Sequence, residues 1–179
     1  FLESAAPPTL SLSSTPNEGD VLAIVLRILE AFKRSVEHNG LYSLFYNDDG
    51  SPRNEAIIQR TFQAVARSYC EANNLDLSPE TNSGRGPVDF KFSRGTPRVL
   101  VEFKRSSHNR LLHGFKVQLA AYEMAEGPSR SVYVVIDQGD NDNAVASVID
   151  CHAEAQAEGR RCPELVIIEA WRHRSGSRA

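Results

Sequence analysis

Residues 84–106 read GRGPVDFKFSRGTPRVLVEFKRS, and this stretch decides the fold. Val88 to Phe92 alternates apolar and polar side chains, as a half-buried strand does. Arg94-Gly95-Thr96-Pro97 has the composition of a hairpin connection. Arg98 to Lys104 carries the apolar run Val99-Leu100-Val101, which predicts a strand inside a sheet. Two charged residues interrupt that strand. Glu102 and Lys104 stand two apart and so share one face. A buried carboxylate without a partner is costly, so Glu102 needs a cation, a metal ion or water beside it. Lys104 is one candidate. Asp89 lies thirteen positions before Glu102, a separation at which two strands joined by a short turn bring both carboxylates together.

Residues 1–19 are rich in Pro, Ser and Thr and are expected to form a linker or disordered tail. Asp20 to His38 predicts an amphipathic helix, with Val21, Ile24, Val25, Ile28, Leu29 and Phe32 at helical spacing. Leu41 to Tyr46 is a short apolar segment, and residues 47–52 are a turn. A second helix is expected over Asn54 to Asn73, with Ile57, Ile58, Phe62, Val65, Ala66 and Tyr69 as its apolar stripe. Residues 78–87 contain Pro, Asn, Ser and Gly and are expected to form a loop. Downstream, the pattern predicts a helix over Arg110 to Glu126, a strand over Ser131 to Asp137, a helix over 141–158 and a strand over Glu164 to Trp171. A loose, basic tail follows at 172–179. The order implies an α/β fold, a central mixed sheet flanked by helices with an added N-terminal helix, in one domain over residues 20–171.

The chain has 179 residues, 41% of them hydrophobic and 24% charged, the composition of a soluble globular fold. No run approaches the roughly 18 apolar residues of a membrane helix, so no membrane is expected among the partners. The start at Phe1 suggests a piece of a longer polypeptide. Three cysteines without a CxxC pair argue against a disulfide framework and against a Cys-rich zinc site, and fit a cytoplasmic setting. The net charge of −3 hides an asymmetry: residues 84–116 hold eight Lys or Arg against two acids, while both flanking segments are acidic. Such a basic block is a candidate polyanion site. GxGxxG, GxxxxGK[ST] and GxSxG do not occur, which leaves phosphate-loop nucleotide hydrolysis and α/β-hydrolase chemistry without support. Asp137, Asp140 and Asp142 lack the spacing of a calcium loop.

Two carboxylates and a main-chain carbonyl make a hard oxygen site suited to Mg²⁺ or Mn²⁺. A lysine beside it would position water or steady developing phosphate charge, a combination that fits metal-assisted phosphodiester hydrolysis. Asp89 followed by Glu102-Phe103-Lys104 resembles the motif of the PD-(D/E)XK nuclease superfamily, with Pro87 one residue removed from the usual place. The resemblance spans residues 54–137. It implies a restriction-endonuclease-like core: a helix, a three-stranded meander, a helix and a further strand. It implies that Asp89, Glu102 and the Phe103 carbonyl hold the metal, that Lys104 is catalytic, and that Glu55 is the supporting glutamate of the preceding helix. Gln118 and Tyr122, four apart, are similar to the QxxxY helix of the exonuclease-like branch and would bind substrate, with Lys91 and Arg105 as basic contacts. The implied activity is hydrolysis of DNA, with RNA also open, by the effector module of a larger protein, one setting being bacterial defence against foreign DNA. Many members of the superfamily act as dimers. Three plainer readings stand beside these. Glu102–Lys104 is an internal ion pair, the downstream helix simply packs on the sheet, or the fold binds nucleic acid or a partner protein without cutting. His108 and His113 near the proposed site read first as surface residues.

Overall fold

The run Val99-Leu100-Val101 lies in the middle of the sheet and needs apolar cover on both faces. The computed structural model describes residues 16–82, 87–118 and 130–171. Five strands, β1 (Asp76–Asn82), β2 (Pro87–Ser93), β3 (Arg98–Arg105), β4 (Arg130–Asp137) and β5 (Glu164–Glu169), lie side by side in chain order. β1, β2 and β3 form an antiparallel meander, while β4 and β5 run parallel to β3. The chain is thus an α/β fold with a mixed sheet.

Two long helices cover one face, α1 (Glu18–His38) and α2 (Glu55–Asn73). Asn17 caps α1: its side chain accepts from the Asp20 N–H, and the Asp20 carboxylate accepts from the Asn17 N–H, the reciprocal arrangement of a capping box. The helix therefore opens two residues before the predicted start. Its apolar stripe is buried as expected. Phe62 of α2 is the hub of this layer, with ring centroids 5.3 Å from Phe32, 5.2 Å from Phe90 and 4.8 Å from Phe103. These tilted and edge-on contacts join α1, α2, β2 and β3. α1 also guards the sheet edge. Lys33 Nζ donates to the Ile167 carbonyl at 2.7 Å, and Glu37 accepts from the Glu169 N–H at 2.9 Å, which occupies backbone groups that an edge strand would otherwise offer to another chain.

The other face carries α3 (Leu111–His113), which passes directly into a π-turn at Gly114–Gln118, and α4 (Asp142–Ala157). Leu111, Phe115, Val145 and Val148 pack there on Leu100, Tyr133 and Val135. Among the described residues no helix is long and apolar enough to cross a membrane.

Three expectations change. Residues 78–82, read as part of a loop, belong to β1; its polar, proline-bearing sequence survives as a strand because β1 is an edge, paired on one side only. The last strand ends at Glu169 rather than Trp171. The downstream helix begins near the predicted position but winds as a π-turn by Gly114; its continuation, with Tyr122, lies outside the described residues, as do residues 1–15 and 172–179.

The glycine that opens the π-turn has a packing cause. A Cβ on Gly114 would stand 2.7 Å from Tyr133 Oη. Tyr133 is fully buried, and its hydroxyl donates to the Leu111 carbonyl at 2.7 Å, so it cannot swing aside. Gly114→Ala should lower stability by about 1–3 kcal/mol through overpacking. Tyr133→Phe alone should lose about 1 kcal/mol with its hydrogen bond. Combined, the two should cost less than their sum, since phenylalanine removes the clashing oxygen. Urea denaturation of the three variants checks this, and simple additivity would show that the contact does not shape the turn.

Candidate active site at the central strand

Strand alternation divides β3. Val99, Val101 and Phe103 enter the α1/α2 core, while Leu100, Glu102 and Lys104 face the other way. Glu102 is 1% exposed and Lys104 9%, so both charges are taken out of water. They pair with each other: Lys104 Nζ donates to Glu102 Oε1 at 2.6 Å and to the Phe103 carbonyl at 3.0 Å. Glu102 Oε2 is buried and has no hydrogen-bond partner.

Asp89 joins them from β2. The β2–β3 ladder pairs Phe90 with Val101, and one further step along that register sets Asp89 opposite Glu102. The Asp89 carboxylate takes the place of a backbone acceptor there. Oδ2 accepts from the Phe103 N–H at 2.7 Å, and Oδ1 accepts from Gln59 Nε2 at 2.8 Å. Glu55, in the first turn of α2, completes the group. Its Oε2 accepts from the Arg105 N–H at 3.2 Å, and its Oε1 lies 3.6 Å from Lys104 Nζ. Gln59, one turn further on, reaches Glu55 Oε1 at 3.4 Å as well.

The structure thus brings together Asp89, Glu102, Lys104, Glu55 and the Phe103 carbonyl. Arg105 is adjacent, but its guanidinium donates to the Arg53 carbonyl at 3.0 Å and fastens the segment leading into α2. Lys91 is half-buried in β2 and takes no part in the hydrogen bonds or ion pairs just described. Gln118 closes the π-turn, and Tyr122 lies outside the described residues. Gln59 was not singled out from the sequence. Its signal is present, however: it follows Glu55 by four on one helix face.

The basic block, contiguous in sequence, is spread out in space among the described residues. Arg94, at the β2–β3 turn, lines a cavity of about 850 Å³ together with Arg130. Lys104 and Arg105 stand at the opposite end of β3, roughly 20 Å away at about 3.3 Å per strand residue, and Arg110 follows beyond it. Asp137 and Asp140 are held locally: Asp137 accepts from the Gly139 N–H at 2.9 Å, and Asp140 accepts a short bond from the Ser106 hydroxyl.

Burial, then the neighbouring Glu102 carboxylate, pushes Asp89 up from 3.8 to about 7, against the opposing pull of Lys104 and the Phe103 N–H. Burial also raises Glu102 despite Lys104. Burial pulls Lys104 down, but Glu102, Glu55 and Asp89 together outweigh it and hold its pKa above 10.5. His108, at the mouth beside β3, is held below 6.5 by burial and by the Lys104 charge, and its Nδ1 accepts from the Arg110 N–H at 3.1 Å. When all are ionised, three carboxylates face one ammonium. A divalent cation suits that imbalance, and Asp89, Glu102 and the Phe103 carbonyl supply hard oxygen donors for Mg²⁺ or Mn²⁺. Among the described residues no group of three or more His, Cys, Asp or Glu side chains stands ready to hold a metal by itself; Lys104 occupies the space between Glu102 and Glu55.

A family model described as a domain of unknown function (DUF8371) matches residues 21–140. That stretch contains Glu55, Gln59, Asp89, Glu102 and Lys104 and leaves α4 and β5 outside. No curated protein and no solved structure matches the chain.

Two stability measurements test the electrostatics. Lys104→Met leaves Glu102 buried and uncompensated and should cost about 3–5 kcal/mol; adding Glu102→Gln should recover a large part of it. An equal loss in the double variant would mean that the pair is not coupled. For Asp89, the folded state keeps a proton that the unfolded chain releases at 3.8. Stability in EDTA should therefore fall as pH rises from 3.8 to about 7. Asp89→Asn should flatten that part of the profile, and an unchanged slope would place the titration elsewhere.

Proposed function

The chain belongs to the DUF8371 family, a domain of unknown function, and for it we propose a metal-dependent nuclease that hydrolyses phosphodiester bonds of DNA. One observation carries the reading: Glu102, paired through one oxygen with Lys104, which Glu55 also approaches, keeps its other oxygen buried without a partner, with the Asp89 carboxylate held at the adjoining Phe103 N–H. The order of elements supports it. A helix, an antiparallel three-stranded meander, a helical segment and a strand parallel to the third is the order that the PD-(D/E)XK resemblance implies, with Asp89 and Glu102 on neighbouring strands.

A divalent cation bound at these oxygens would neutralise phosphate charge and favour formation of hydroxide from water. The chain's own residues do the rest. Asp89 and Glu102 offer their carboxylates as ligands, and the Phe103 carbonyl follows Glu102 directly in sequence. Gln59 and the Phe103 N–H hold Asp89 in one orientation, which keeps its oxygens preorganised. Lys104 stays protonated beside the carboxylates and is placed to donate to a phosphate oxygen or to the attacking water. Glu55 orients Lys104 through their 3.6 Å contact. Gln118 and Tyr122, on the segment after α3, together with Arg105 and Lys91, are assigned to substrate. The module would be the effector part of a larger, cytoplasmic defence protein acting on foreign DNA, with dimerisation allowing both strands to be cut.

A second reading has its own observation. Lys104 already bridges Glu102 and Glu55, as in a domain that binds nucleic acid without cutting. Purified protein incubated with supercoiled plasmid in Mg²⁺, in Mn²⁺ and in EDTA separates the two. The nuclease reading expects metal-dependent nicking or linearisation, with activity in Glu102→Ala or Lys104→Ala reduced at least about 100-fold, the scale on which removal of one preorganised catalytic group is felt. Retention of plasmid and RNA without cleavage, with no heat of Mg²⁺ binding, would favour the binding module.

A further inference from the structure

Two of the three cysteines share a cavity remote from the carboxylates, on the α4 side of the sheet. α4 ends at Ala157, and the chain doubles back: the Arg160 N–H bonds to the Ala155 carbonyl at 2.9 Å. From there Arg161-Cys162-Pro163 returns along the helix toward β5. Two residues of extended chain cover about 6.6 Å, and the four helical residues from Ala155 back to Cys151 cover about 6 Å. The reversal brings Cys162 and Cys151 to the wall of the same cavity. Both line one cavity of about 220 Å³, walled also by Phe115, Lys116, Glu154, Arg160 and Arg161.

The two thiols are placed differently. Cys151 sits in α4 and is buried; Cys162 lies in irregular chain and is half-buried. Exposure decides which of them a peroxide in solution reaches first, and that is Cys162. Cys70 is the contrast within the same molecule. It is buried in α2, and burial and the adjacent Glu71 push its thiol up to about 11.

We propose that Cys162 and Cys151 form a hydroperoxide-reactive pair, a modification site in which Cys162 reacts first and Cys151 resolves it. The Cys162 thiolate attacks the peroxide, its sulfur gaining one oxygen as the O–O bond breaks. The departing oxygen leaves as water or an alcohol, taking the proton that Cys162 gave up. The Cys151 sulfur then attacks the sulfenic acid, the S–O bond breaks, and a second water leaves with the Cys151 proton. Two thiols are oxidised to a disulfide and one hydroperoxide is reduced. The bond ties α4 to the segment that leads into β5.

The test uses the full reduced chain, hydrogen peroxide in increasing amounts, alkylation and tryptic mapping without reduction. Cleavage at Arg160 and Arg161 puts the two cysteines in separate peptides. The expected result is a Cys151–Cys162 linked pair, a whole-protein mass lower by two hydrogens, an unchanged monomer, and reversal by dithiothreitol. Cys151→Ser should leave a dimedone-trappable sulfenic acid on Cys162, while Cys162→Ser should leave Cys151 unmodified. Cys162 passing to sulfinic acid without a crosslink, intermolecular dimers as the main product, or Cys70 reacting as fast as Cys162 would each overturn the proposal. If Cys151→Ser fails to fold, the wild-type linked peptide decides the matter alone. None of these readouts depends on nuclease activity.

Discussion

An ion pair in the wrong solvent organises this molecule. Glu102 and Lys104 lie on the central strand of the sheet, whose other buried side chains are Val, Leu and Phe. Removing both charges from water is expensive, and their mutual attraction offsets that cost only with good geometry and further hydrogen bonds. The fold supplies these from three directions. The Phe103 carbonyl takes a second Lys104 proton, Glu55 brings a second carboxylate from the start of α2, and Asp89 caps the next backbone N–H of β3. The position of α2 against the sheet and the end of the β2–β3 ladder are both tied to this one strand.

The result is over-supplied with negative charge for a structural ion pair. Three carboxylates meet one ammonium, one buried oxygen lacks a partner, and the raised Asp89 reflects two acids crowded in low dielectric. A site kept for packing alone would gain from replacing such a group with apolar side chains. Perturbed acids gathered around a lysine at the end of a central strand are instead what metal-assisted chemistry on a phosphate would use. The same face of the sheet shows the ordinary solution for contrast. There Tyr133, the neighbour of Glu102 across β3–β4, is satisfied by one carbonyl and packs with Leu111, Phe115 and Val135.

Much of this was legible in the residues. The apolar run of β3, the helical stripes of α1 and α2, the parallel strand β4 and the shared face of Glu102 and Lys104 all follow from side-chain period and solvent preference. Asp89 was legible because hairpin spacing leaves little choice of partner. β1 was not: Asp76-Leu-Ser-Pro-Glu-Thr-Asn has the composition of a turn, and only a neighbour offering hydrogen bonds on one side makes it a strand, since strand preference is mostly context. The π-turn was not legible either, since side-chain period does not separate it from an α-helix, and the close approach of Gly114 to Tyr133 joins residues nineteen apart.

The sequence by itself determined the layers and the identity of the charged groups, because periodicity and the cost of burying charge act locally along the chain. Tertiary structure alone decided which of those groups meet. Gln59 became a shared donor to Asp89 and Glu55, and Arg105 turned to the Arg53 carbonyl. Hydrogen bonds and ion pairs act over a few ångströms in space, and distance along the chain does not encode that.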